Sequence, residues 1–175
     1  MGVVDSGEVL APLHVLPAAP LPDKMRPSAT GAWWPLAGWI VLTESLVAGC
    51  RVLVADDSPF ALELIKAILD KAGCTNLTGA GGGREALARA GEIQFDVVLL
   101  DVTMPDMNGY EVTRQLRAAH TPGPVIVMLS GRDIVEVDLA AREAGADGVM
   151  AKPVDRRKLL ELLETLLQQR RALAV

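Results

Sequence analysis

The chain from residue 51 onward predicts an α/β fold, a doubly wound sheet of five parallel strands with helices on both faces. Three observations carry this. Short apolar runs alternate with amphipathic stretches five times after Arg51, the pattern of strands joined by covering helices. The run Asp96-Val97-Val98-Leu99-Leu100 is the most strand-like of the chain and is expected at the centre of the sheet. A polar residue follows directly on four of the five runs, as in open sheets that gather a site along one edge.

The first strand spans Val52 to Ala55, and Ser58-Pro59 after it reads as a helix N-cap with proline at the first helical position. That helix is expected to reach Gly73. A second strand covers Thr75 to Gly79, followed by a glycine-rich turn at Gly81 to Gly83 and a short helix through Ala86, Leu87 and Ala90. The central strand closes on Asp101, and a loop containing Pro105 and Gly109 leads to a helix from about Tyr110 to Ala119. Pro122-Gly123-Pro124 forces a break before a fourth strand, Val125 to Leu129, with Ser130 at its end. A helix from about Asp133 to Ala144 stops at Gly145, and a short last strand near Gly148 to Ala151 ends at Lys152-Pro153. Asp155 caps a final leucine-rich helix.

At 175 residues, half of them apolar, the chain holds one well-buried domain plus an appendage. Residues 1–50 contain six of the eleven prolines and all three tryptophans without a sustained period, so they are expected to be a disordered or loosely packed tail, with the domain at 51–175. The tail segment Trp33-Trp34-Pro35-Leu36-Ala37-Gly38-Trp39-Ile40 reads as disordered or as the product of an upstream start codon, in preference to a docking element. The formal charge is -5, with no basic stripe, which excludes direct nucleic-acid binding from the expectation. Cys50 and Cys74 are the only cysteines and are expected as free thiols. The apolar stretch Gly31 to Leu42 falls short of the ~20 residues of a membrane-spanning helix, and no charged region precedes an apolar core at the start. A cytoplasmic protein without membrane insertion is the expectation.

Asp56 and Asp57 follow the first strand, Asp101 the third, Ser130 the fourth and Lys152 the fifth, so these residues should converge. Three carboxylates pressed together repel one another unless a cation compensates them. Oxygen-only ligands on a short rigid rim suit Mg²⁺, and the lack of a His or Cys cluster speaks against zinc. With Mg²⁺ and a lysine beside a carboxylate, the economical chemistry is phosphoryl transfer. Asp101 would be the nucleophile and form an acyl phosphate. Lys152 would pair with one phosphoryl oxygen, and the Ser130 hydroxyl would donate to another.

The segments Val54-Ala55-Asp56-Asp57-Ser58, Leu99-Leu100-Asp101-Val102-Thr103-Met104-Pro105-Asp106-Met107-Asn108-Gly109, Leu129-Ser130-Gly131 and Ala151-Lys152-Pro153 resemble the receiver domains of two-component response regulators. The resemblance covers essentially everything after Cys50. It implies a CheY-like, flavodoxin-type strand order 2-1-3-4-5, Asp101 as phosphoacceptor, Asp57 as a direct Mg²⁺ ligand and Asp56 as a water-mediated one. The Thr103 backbone carbonyl would complete the protein ligands, Ser130 and Lys152 would take the switch and charge-pairing roles, and the Lys152-Pro153 bond would be cis, which proline permits at low cost. It also implies a histidine kinase or histidine phosphotransfer protein as phosphodonor, and a signalling domain that assists its own phosphoryl transfer and dephosphorylation. Where the family commonly carries an aromatic residue, three positions before the lysine, this chain has Val149. A valine has no ring to swing inward, so the output switch is expected to be weak or differently wired. Thr103 and Arg132 occupy positions that in the family tune the lifetime of the phosphorylated state.

His14 and His120 stand without partners in the sequence and are read as solvent-exposed. Gly81 to Gly83 lacks the following Lys-Ser/Thr of a nucleotide phosphate loop and is read as a flexible turn. Six leucines, Leu159, Leu160, Leu162, Leu163, Leu166 and Leu167, form a stripe wider than one sheet face needs. Core packing with incidental exposure is favoured over a homodimer or partner surface on the last two helices. An output module after Val175 is absent from the sequence, so a stand-alone receiver acting through a downstream protein target is expected. The alternative is a phosphorylation-independent interaction module. A phosphatase similar to the haloacid dehalogenases would want an aspartate two residues after the nucleophile, where Thr103 stands.

Overall fold

The computed structural model describes residues 45–173. Five strands and five helices alternate: β1 (Arg51–Ala55), α1 (Pro59–Asp70), β2 (Asn76–Ala80), α2 (Gly83–Glu92), β3 (Val97–Asp101), α3 (Gly109–Ala119), β4 (Val125–Ser130), α4 (Ile134–Ala144), β5 (Gly148–Ala151) and α5 (Arg156–Leu173). All neighbouring strands pair in parallel, in the order β2-β1-β3-β4-β5. This is the doubly wound sheet and strand order expected.

Alternation along each strand divides the core into layers. Val52, Val54, Val97, Leu99, Val125, Val127 and Leu129 pack on one face with Ile65 and Leu69 of α1 and Leu159, Leu163 and Leu167 of α5. Leu53, Ala55, Val98, Leu100 and Ile126 pack on the other with α2 and α3, while Met128 and Val102 meet Val137, Ala141 and Ala144 of α4. β3 is fully buried, as a central strand must be.

Local chemistry sets the helix ends. The Ser58 hydroxyl accepts from the Ala61 amide at 3.4 Å, Asn108 from Glu111 at 2.9 Å, Asp133 from Val135 at 2.9 Å and Asp155 from Lys158 at 2.9 Å. Gly145 ends α4 at φ 96°, a left-handed conformation that costs glycine little. α1 stops at Asp70, three residues short of the expected Gly73; the chain turns through Lys71 and Ala72 before Gly73 takes φ 88°.

The packed unit starts before the expected residue 51. Val47 is fully buried and Cys50 nearly so, both in the layer under α1 and α5, and the Ser45 hydroxyl donates to Glu164 of α5 at 3.2 Å. Residues 1–44, including the tryptophan segment and His14, lie outside the described residues. Both cysteines are free thiols. The six leucines of the stripe, Leu159, Leu160, Leu162, Leu163, Leu166 and Leu167, are all buried or half-buried; among the described residues the exposed large apolar side chains are instead Phe60 and Leu64 on α1, Ile93, and Ile134, Val135 and Leu139 on α4. Among the described residues, no helix is long and apolar enough to cross a membrane.

Candidate functional site

Parallel strands all present their C-terminal ends at one edge, so residues that end or follow β1, β3, β4 and β5 are brought together there. Carboxylate oxygens of Asp56, Asp57 and Asp101 lie within 4.8 Å of one another. The Lys152 ammonium, delivered by β5, sits 2.6 Å from Asp56 Oδ2 and 2.7 Å from Asp101 Oδ1. Asp56 and Asp101 are buried, whereas Asp57 is exposed. Ser130 is buried at the end of β4, where its hydroxyl accepts from the Arg132 amide at 2.9 Å. Its carbonyl accepts from the Lys152 amide at 2.7 Å, tying the lysine to the serine across the edge.

Backbone amides fix the carboxylates. Asp56 Oδ1 accepts from Ser58 N at 2.9 Å, and Asp101 Oδ2 from Thr103 N at 3.2 Å. The Lys152-Pro153 bond is cis, as expected, and so is Thr121-Pro122. Gly109 stands where a Cβ would come 2.5 Å from the Asp101 carbonyl oxygen, so α3 starts directly against the end of β3.

Burial pushes the Asp101 carboxyl above the ordinary carboxylate range, outweighing the hydrogen bond and charge of Lys152. Burial pulls Lys152 the other way, but its hydrogen bonds and charge pairing with Asp101 and Asp56 together hold it above the usual lysine range. Three carboxylates against one ammonium leave a deficit of positive charge. A hard divalent cation fits that deficit and the all-oxygen donor set, and among the described residues no histidine or cysteine joins the cluster.

A family model for the response regulator receiver domain matches residues 52–164. The chain belongs to this receiver family. It is similar to the protein PilH of Pseudomonas aeruginosa, at 34% identity over 67% of this chain and 97% of that one. It is also similar to the probable transcriptional regulatory protein TcrX of Mycobacterium tuberculosis, at 38% identity over 67% of this chain and only 50% of that one. Among solved structures, the receiver resembles chemotaxis protein CheY4 of Vibrio cholerae, with 34% identity, a TM-score of 0.61, and coverage of 66% and 96% of the two chains. The CheX-CheY-BeF3-Mg complex from Borrelia burgdorferi is another neighbour, with 26% identity, a TM-score of 0.62, and coverage of 66% and 87%.

Elsewhere in this receiver, a cleft of about 620 Å³ opens at the opposite edge of the sheet, lined by Arg51, Phe95, Asp96, His120 and Pro122 among others. None of the strand-end residues reaches it. His120 is half-buried at that cleft, not exposed as expected. Val149 is half-buried and packs on the α4 layer, as Tyr110 does.

Asp106 was not legible as a site-edge residue. Its carboxylate accepts from the amides of Gly83 at 3.0 Å and Arg84 at 2.9 Å, across to α2. The one signal was negative: α2 begins after glycines, with no side-chain cap of its own, and such a start needs acceptors from elsewhere.

Proposed function

We propose that this receiver takes a phosphoryl group onto Asp101 from a histidine kinase or histidine phosphotransfer protein, in a Mg²⁺-dependent step, and signals through altered protein contacts. The observation that carries this is the Lys152 ammonium within 2.7 Å of the Asp101 carboxylate, beside two further aspartates. An Asp101 oxygen attacks phosphorus, the P–N bond of the donor phosphohistidine breaks, and the leaving imidazole keeps the bonding pair and takes a proton. The product is a mixed anhydride on Asp101. Lys152 transfers its charge pairing from carboxylate to phosphoryl oxygen, and the Ser130 hydroxyl donates its proton to another oxygen while still accepting from Arg132 N. Asp56, Asp57, Asp101 and the Thr103 carbonyl are the groups that would hold Mg²⁺. When bound, the ion supplies charge compensation for the carboxylates and the equatorial phosphoryl oxygens.

Coverage of nearly the whole of PilH supports a reading in which the receiver acts on a downstream protein through its own surface. On this reading residues 51–175 are the signalling unit and residues 1–50 an appendage whose last residues pack on it. The exposed apolar residues of α4 support partner contact there, and a homodimer through α4 and α5 is one form it could take.

Labelling with acetyl phosphate in the presence of Mg²⁺ tests the assignment. Label is expected on wild type and absent from Asp101→Asn; label that persists in the variant refutes it. Val149, which offers no ring to a hydroxyl switch, favours a second reading, a partner-binding module indifferent to phosphorylation. Equal partner binding by wild type and Asp101→Asn, with and without acetyl phosphate, would establish that reading instead.

A further inference from the structure

The glycine run Gly81 to Gly83 and the loop between β3 and α3 are pressed together more closely than a turn requires. A Cβ on Gly82 would lie 2.8 Å from Asp106 Oδ1, and one on Gly83 would lie 2.6 Å from the Met107 carbonyl oxygen. Gly82 and Gly83 are both buried. Gly82 is extended, at φ 177°, and neither glycine lies in the left-handed region, so what excludes a side chain here is space and not backbone conformation. The run is a docking seam, not the flexible turn expected of it.

Across that seam Asp106 supplies the cap that α2 lacks. Oδ1 accepts from Gly83 N and Oδ2 from Arg84 N, at 3.0 and 2.9 Å, and Oδ1 also accepts from Met107 N at 2.8 Å. One carboxylate therefore satisfies two orphan amides of α2 while bracing its own loop. That loop carries Thr103. Its ends are fixed by Val102 N donating to Leu129 O at 3.0 Å and Gly109 N donating to Val102 O at 3.1 Å. Between Thr103 and the Asn108 cap of α3, Asp106 supplies the hydrogen bonds to α2, beside Met104 and Met107, which pack in the layer under α2 and α3.

We infer that Asp106 is a positioning residue, which holds the β3–α3 loop against the start of α2 and so keeps the Thr103 carbonyl in register with the carboxylates of Asp57 and Asp101. This rests on the reading of Thr103 as a metal ligand. It makes α2 a mechanical support of the phosphoacceptor edge, although α2 contributes no side chain to it.

The test is a calorimetric titration of the full chain with Mg²⁺ alone, on wild type, Asp106→Ala, Asp106→Asn and Asp133→Ala. Asp133→Ala removes a comparable cap from α4 without touching the seam. Asp106→Ala is expected to raise the Mg²⁺ dissociation constant about tenfold, the scale of outer supports at metal sites. Asp106→Asn, which keeps one acceptor oxygen, should recover part of that loss, and Asp133→Ala should lower the melting temperature with affinity unchanged. Should Asp106→Ala melt earlier yet bind Mg²⁺ within twofold of wild type, Asp106 is a helix cap only and the inference is overturned. If Asp106→Ala does not fold, Asp106→Asn with wild-type affinity overturns it equally. If wild type takes up no Mg²⁺, the metal-site reading itself fails, a result distinguishable from the other two.

Discussion

Lys152 is wedged between two buried carboxylates, and replacing it with methionine isolates what that ammonium contributes to the fold. Methionine keeps the length and apolar stem but leaves Asp56 and Asp101, whose side chains are 1% and 7% exposed, without their cation. Removing one partner of a buried pair costs about 3–5 kcal/mol. Lys152 itself is 27% exposed, so solvent relieves part of this and about 2–4 kcal/mol is expected at pH 7. With a urea slope of about 1–3 kcal/mol/M, the unfolding midpoint should fall by roughly 1–2 M. The sign of the pH dependence follows from Asp101. Its folded pKa is raised, chiefly by burial, so its contribution is fully present below the ordinary carboxylate range and is lost as pH rises through the folded pKa. Deleting the ammonium extends that loss to higher pH, so the penalty of Lys152→Met should shrink on going from pH 7 to pH 5. Urea titrations of both proteins at the two pH values, with a chelator present, measure it. A penalty below about 1 kcal/mol at pH 7, or one of equal size at pH 5, would refute the reasoning.

Arg117 donates to Gly145 O at 2.8 Å, Pro124 O at 2.6 Å and Asp147 Oδ2 at 2.6 Å, and Asp147 in turn accepts from Ile126 N at 2.7 Å. Arg117→Ala should cost about 3 kcal/mol by leaving these acceptors unmade, seen as a fall of about 10 °C in the calorimetric melting temperature. Arg117→Lys should restore less than half, because one ammonium cannot serve three acceptors set for a planar fork. Burial pushes the thiols of Cys50 and Cys74 up, so an aromatic disulfide reagent at pH 8 should label neither until urea crosses the unfolding midpoint. Stoichiometric labelling of the native protein within seconds would contradict that burial.

The strand ends were the legible part, because a parallel sheet forces residues that end successive apolar runs to one edge whatever their separation. Asp56 and Lys152 are 96 positions apart yet were predicted together on this rule alone. Contacts made sideways between loops carry no such rule. Asp106 reads in sequence as one polar residue of a turn, and its amide partners lie 22 and 23 positions back. The burial of Val47 was hidden by composition, since a proline- and tryptophan-rich segment runs close to it and masks the short apolar stretch that precedes β1. On α5 the stripe was correctly seen as wide. Leu160, Leu162 and Leu166 at its margins are half-buried and pack against the core, a distinction that depends on neighbours the period does not reveal.

The two edges of the sheet are not equivalent. β2, on one side, ends at Ala80 and supplies none of the clustered side chains, meeting the site only where Asp56 N donates to Ala80 O at 3.1 Å. β5, on the other, has four residues, pairs with β4 alone and carries Lys152 at its end. Fraying of that short outer strand would withdraw the ammonium while the aspartates stay in place. Competence for phosphate should therefore track amide protection in β5 more closely than the stability of the domain as a whole.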